Sequence, residues 1–283
     1  MLVGLALGVF TLAAPVLQAD TTFAVDPGLR LELRNRSGDI TVRTWDRNEV
    51  RVETGRWRRS PIVIERTSGA VRIGTTSWPR DEDDTDLWLT VPASMSLELS
   101  GSESDVTVDG SRGEINVDLS EGDVYIRGGS GRVSVRTNDG GITVGDAQGI
   151  VRLFSMDGDI IVEHASGDIE VETTDGTIEL RDVMATTVRA TTVDGDIWFD
   201  GELAQRGEYS LETHDGDITV YVPEESDARV RLALYDGDFS SDFSITFPSW
   251  PRGRRAEFTL GGGSADLQIE TFDGDIQLLM RRR

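Results

Sequence analysis

Pairs of aliphatic side chains two positions apart recur every nine residues through the middle of the chain, as in Val133/Val135, Ile142/Val144, Val151/Leu153, Ile160/Val162, Ile169/Val171 and Ile178/Leu180. Residues two apart share one face of a strand, so each pair predicts a short strand with its apolar face turned inward. A glycine stands two residues ahead of every pair, at nine-residue intervals from Gly113 to Gly176. A fixed short period predicts one turn-and-strand unit stacked repeatedly, because a single unit cannot bury its own apolar face. An Asp-Gly between alternating apolar residues ordinarily signals a hairpin. Spacing that does not drift predicts instead a parallel coil climbing one strand spacing, about 4.8 Å, per turn.

The turns alternate in kind. Asp precedes the glycine at Gly140, Gly158, Gly176, Gly195, Gly216, Gly237 and Gly274, whereas Arg, Ser or Gln precedes Gly113, Gly131, Gly149, Gly167 and Gly207. One coil is therefore two units, eighteen residues, with two different edges. At the Asp-Gly edge the aspartate side chain is placed to hydrogen-bond its own turn. Thr137, Ser155, Thr173, Thr192, Thr213 and Thr271 stand three residues before these glycines, and the alternation turns them inward as a stacked row of hydroxyls. The fold class is all-β: a parallel β-solenoid over residues 101–283, right-handed by the preference of parallel crossovers. Past Gly176 small insertions lengthen the turns. The Pro- and Arg-rich stretch at 247–255 predicts a protruding loop.

Residues 20–100 are β-rich but less regular, and read as a cap over the apolar end of the coil. Residues 1–19 carry no charge and end in a small residue before Asp20. They resemble a secretory signal peptide, with the mature chain beginning near Asp20; a membrane-anchoring helix would need about 20 apolar residues, more than this run supplies. The expected location is extracytoplasmic: periplasm, cell surface or secreted.

Composition narrows the chemistry. With no cysteine among 283 residues there is no disulfide framework, thiol nucleophile or thiolate metal site. The formal net charge is -23, and the imbalance lies in the coil: residues 20–100 hold 12 Arg against 14 acidic residues, residues 101–283 hold 16 Arg against 37. That sign opposes nucleic acid and anionic membrane as partners. Basic clusters at Trp57-Arg58-Arg59, at residues 252–255 and at the Arg281-Arg282-Arg283 tail read as solvated loops and a solvated terminus.

Three functional readings follow. The first is binding, adhesion or scaffolding in the envelope without catalysis, to a protein or glycan. Beside the Asp-Gly edge the outward position reads Asn138, Met156, Thr174, Val193, His214, Tyr235, Phe272, and Met156, Val193, His214, Tyr235 and Phe272 are the candidate partner-binding residues, with Phe154 near them and Trp198 on the opposite sheet. The second is calcium. Asp157, Asp175, Asp194, Asp215 and Asp236 stack along one edge with Asp159, Asp196, Asp217 and Asp238 beside them, although calcium rolls need more than one glycine per turn. The third is a polysaccharide-active β-helix enzyme needing paired carboxylates in a cleft. Carboxylates that recur at every turn are better explained by the turn, and His164 and His214, on different coils, have no metal-ligand spacing. No catalytic residue and no cofactor is expected.

Several motifs occur in a specific order: Asn35-Arg36-Ser37-Gly38-Asp39-Ile40-Thr41-Val42, Trp45-Asp46-Arg47-Asn48-Glu49-Val50, Val91-Pro92, the repeated Gly-Asp-Ile units, and Thr271-Phe272-Asp273-Gly274-Asp275-Ile276 near the end. In this order the chain resembles the bacterial β-strand-repeat proteins labelled putative adhesins. That resemblance implies an exported β-helical protein of the cell envelope and carries no catalytic residues.

Overall fold

The computed structural model describes residues 16–17, 21–55, 62–75, 84–245 and 255–281. The expected signal segment, but for the short strand Val16–Leu17, lies outside them, as do Asp20, the Trp57-Arg58-Arg59 cluster and most of the 247–255 loop. Every regular element among the described residues is a β-strand. The strands stack into two parallel ladders around one apolar core. The first ladder runs through Ser96–Glu103, Ile115–Glu121, Ser130–Arg136, Gln148–Phe154, Ser166–Glu172, the second half of Ile178–Thr191, and Glu208–Asp215. The second runs through Val106–Ser111, Val124–Gly128, Ile142–Gly145, Ile160–Glu163, the first half of Ile178–Thr191, Ile197–Gly201 and Ile218–Val222. Ile142 lies opposite Ile160 and Val133 opposite Val151, which is the eighteen-residue coil read from the period. Among the described residues every pairing between the strands of these coils is parallel, so the Asp-Gly turns are not hairpins.

The core follows from the alternation. Val133, Val135, Ile142, Val144, Ile160, Val162, Ile169, Val171, Ile178 and Leu180 are all buried. At the Asp-Gly edge the hydroxyl row is buried too. It bridges coils: Ser155 Oγ donates to the carbonyl of Gly140 at 3.0 Å, Thr173 Oγ1 to Gly158 at 3.1 Å, and Thr213 Oγ1 to Gly195 at 2.9 Å. These hydroxyls thus meet the need of carbonyls that the strand ladders leave behind at the corner, while Thr137 Oγ1 bonds the carbonyl of Asp139 in its own turn. At the other edge the corner residues Asp146, His164 and Asp182 adopt φ of 59°, 52° and 50°, a region that Asp and His tolerate better than most side chains. His164 is thereby explained as a turn residue.

The ends depart from the expected order. The ladders cross residue 100 without a break, because Arg30–Ser37 pairs in parallel with Ser96–Glu103 and Ile40–Trp45 with Val106–Ser111. The segment expected as a separate cap therefore supplies coils of the solenoid. Its outermost coil is Ala70–Thr75 with Leu87–Pro92, so residues 30–45 are threaded between two later stretches of chain. The C-terminus mirrors this: Ala265–Asp273 lies between Glu208–Asp215 and Ala228–Asp236, and Ile276–Met280 between Ile218–Val222 and Phe239–Ser241. Antiparallel strands close the outer coils, with Ile62–Arg66 and Glu49–Thr54 at one end and Arg255–Leu260 at the other. They cover edges that would otherwise invite pairing with another chain.

Arg281, expected as part of a solvated tail, instead ties the end down. Its guanidinium reaches Asp182 at 2.5 Å and Asp200 at 2.9 Å, and the backbone N–H of Arg281 donates to the carbonyl of Val222 at 2.9 Å. The bonded guanidinium holds the Asp182 carboxyl below the usual range, whereas burial pushes Asp200 up in spite of the same neighbour.

Candidate functional site

The stripe beside the Asp-Gly edge is built by the turn itself. The chain enters each turn with an inward hydroxyl, so the next residue points outward before the Asp-Gly bend. Met156, Val193 and Phe272 are about half exposed there, at 51%, 49% and 51%. Their backbones are linked coil to coil: the Val193 N–H donates to the carbonyl of Thr174 at 3.2 Å, and the Asp175 N–H to that of Met156 at 3.0 Å. The positions are therefore collinear along the rod. At the C-terminal end they become a ring stack. His214 and Phe272 lie 4.9 Å apart with planes 18° from parallel, and Phe272 and Tyr235 lie 5.4 Å apart at 27°. Arg255 Nη2 donates to the Tyr235 hydroxyl at 3.2 Å.

Sequence order places Tyr235 next to His214, but the threaded C-terminal strand puts Phe272 between them. All five candidate residues still fall on one stripe. Phe154 is set apart on the outer face of the first ladder, where the Arg136 guanidinium sits 4.4 Å above its ring. Trp198 belongs to the second ladder and is not part of the stripe.

The acidic edge is arranged differently from the expectation. The aspartates before the glycines stack by their backbones, Asp139 on Asp157, then Asp175, Asp194 and Asp215. Among the described residues their carboxylates make no ion pair or hydrogen bond. The aspartate after the glycine does the bonding, and it acts between coils rather than within its own turn. Asp159 Oδ1 accepts the Thr177 N–H at 2.8 Å, Asp196 Oδ1 the Asp217 N–H at 2.8 Å, and Asp217 Oδ1 the Asp275 N–H at 2.7 Å. The reason is geometric: at the corner the carbonyl of the lower coil turns away, and a carboxylate one bond further out reaches the N–H left above it. Of the calcium candidates, Asp159, Asp196 and Asp217 are thus engaged by backbone, while Asp157, Asp175, Asp194, Asp215, Asp236 and Asp238 offer free carboxylates. No three acidic or histidine side chains converge on a metal-sized site among the described residues.

Screened repulsion along this row predicts a specific behaviour. The melting temperature is expected to rise by the same small amount in calcium chloride and in sodium chloride at matched ionic strength. A large calcium-specific rise, removed by changing Asp157, Asp175 and Asp194 to Asn, would instead reveal binding to the folded state.

Chemically, the stripe can bury aromatic and apolar area against a partner. The two histidines lie on different strands, His164 at the corner after Ile160–Glu163 and His214 within Glu208–Asp215. In comparisons with known proteins, the Toastrack DUF4097 family matches residues 26–171 and, a second time, residues 150–279. No protein with a curated description matches the chain. Among solved structures, a putative adhesin from Parabacteroides distasonis is similar at 10% identity over 91% of this chain and 95% of its own, with a TM-score of 0.41. A putative adhesin from Bacteroides fragilis shares 12% identity over 92% and 95%, with a TM-score of 0.38. A putative cell adhesion protein from Clostridium sporogenes shares 12% over 93% and 99%, with a TM-score of 0.26.

Proposed function

The chain belongs to the Toastrack DUF4097 family, and from that premise we propose that it is a non-catalytic, extracytoplasmic binding rod that engages a protein of the cell envelope through its edge stripe. The observation that carries this reading is the collinear run of exposed Met156, Val193, Phe272 and the His214–Phe272–Tyr235 ring stack. Single exposed apolar side chains are ordinary. Aligned along a rigid edge and ending in a preassembled aromatic cluster, they form the kind of anchor on which interfaces concentrate their energy. A solenoid suits such a role because its coils hold side chains at fixed intervals with little order left to acquire on binding.

The test is cosedimentation of the purified protein with envelope fractions. Phe272→Ala and Met156→Glu are each expected to weaken association about tenfold or more, while melting within a few degrees of the parent protein. Met156→Glu touches none of the stacked rings, so it separates lost contact from lost packing. Unchanged association of both variants would remove the stripe from consideration.

A further inference from the structure

One of the two outward rows of the second ladder is almost uncharged, on a chain with a formal net charge of -23, while the row beside it carries Arg43, Asp109, Arg127, Glu163 and Arg181. Trp88, Thr107, Tyr125, Thr143, Ile161 and Trp198 take equivalent positions on stacked strands, with Thr41 between the first two. Trp88, Tyr125 and Trp198 are 41%, 51% and 43% exposed. Within the row Glu179 is held by the guanidinium of Arg181, and Glu53, opposite Trp88 at its end, is paired with Arg51. The matching outward row of the first ladder has a different character, with Glu98, Arg152, Glu170 and Arg189.

Toward the C-terminal end the row opens into a cleft of about 460 Å³ lined by Trp198, Asp200, Tyr221, Asp242 and Arg281. The Trp198 and Tyr221 rings meet at 5.1 Å with 64° between their planes, which makes an aromatic corner. Asp200 pairs with Arg281 on its floor, and Asp242 Oδ2 accepts the Met280 N–H at 3.2 Å.

We propose that this track binds a linear, neutral polysaccharide, with the Trp198–Tyr221 corner as its anchoring subsite. The C–H faces of sugar rings are apolar and stack on aromatic rings, while the hydroxyls at their rims need donors and acceptors. Here Thr41 and Thr107 stand between Trp88 and Tyr125, and Thr143 beside Tyr125, and the corner is flanked by two carboxylates and a guanidinium, groups that make strong hydrogen bonds to hydroxyls. Charge selects the class. The field of the chain repels a polyanion, and a polycation would be drawn to the free carboxylates of the Asp-Gly edge instead of this row. At about 4.8 Å per strand, the three steps from Trp88 to Tyr125 and the four from Tyr125 to Trp198 span about 34 Å, room for several sugar units. The backbone of this face is already engaged in the ladders, which leaves no pairing site for an added peptide strand.

Electrophoresis of the whole protein through gels containing hydroxyethylcellulose, galactomannan or polygalacturonate tests this. Retardation is expected in at least one neutral gel and not in polygalacturonate. Trp198→Ala and Tyr125→Ala should each weaken the retardation about tenfold, and Phe272→Ala, on the edge stripe, should leave it unchanged, so this site stands or falls apart from the stripe. Tyr125 has no ring partner at the cleft, so its variant tests the track independently of packing at Trp198. Free passage through both neutral gels, retardation in the anionic gel alone, or variants retarded like the parent would each overturn the proposal.

Discussion

Truncation after Ser264 is expected to destroy the cooperative fold of the C-terminal coils, well beyond the loss of one terminal unit. The missing strands contribute Leu267, Ile269, Ile276 and Leu278, all fully buried. At about 1.5–3 kcal/mol for each buried aliphatic side chain, their removal withdraws on the order of 6–12 kcal/mol. That is comparable to the entire stability of an ordinary domain. In a solenoid wound in sequence order, the last segment has one neighbour, and cutting it off leaves an intact shorter rod. Here Ala265–Asp273 is paired on both sides, with Glu208–Asp215 and Ala228–Asp236. The cut opens a slot inside the rod and leaves Ala228–Asp236 paired in parallel with nothing. Soluble yield and urea unfolding followed by circular dichroism would measure this. A truncated chain that still unfolds in one sharp transition, only slightly less stable, would show that Ala228–Asp236 docks directly on Glu208–Asp215 and that the threaded order is dispensable.

Gly167→Ala is a point substitution expected to do heavy damage. Gly167 has φ of +113°, and a Cβ there would stand 2.1 Å from the carbonyl oxygen of Gly149 in the coil below. Backbone cannot retreat without breaking ladder bonds on both coils. A loss of about 3 kcal/mol or more follows from strain and clash together, which for a chain of this size lowers the melting temperature by roughly 6–12 °C. Gly145→Ala is the control: its Cβ would meet nothing within 4 Å, and the change is expected to stay within about 0.5 kcal/mol. Equal melting temperatures for the two variants would mean that the coils slide apart more easily than their packing implies.

The stripe shows how far a repeating pattern can be read. Met156, Val193, His214, Tyr235 and Phe272 share one outward position because alternation fixes which face a residue takes once the period is known. The pattern does not say which coil lies next to which, so the His214–Phe272 and Phe272–Tyr235 contacts were not legible. The division of labour between aspartates was hidden for a related reason. Asp157 and Asp159 flank the same glycine, yet only Asp159 is bonded to the next coil, because that bond depends on where the neighbouring Thr177 N–H stands. The neutral row of the second ladder was spelled out in every strand, but Trp88, Tyr125 and Trp198 are too far apart in the chain to be seen as one surface before the coils are stacked.

The sequence by itself determined the strands, their inward faces, the eighteen-residue coil and the two kinds of edge, since these depend on alternation and turn chemistry within a few residues. Only the tertiary structure decided the order of coils at the two ends, the recruitment of residues 30–45 into the rod and the fastening of Arg281 to Asp182 and Asp200. Near-identical coils present near-identical apolar faces, so local pattern favours no one neighbour over another. The choice is made by which arrangement covers both ends of the core at once, and that is a property of the whole chain.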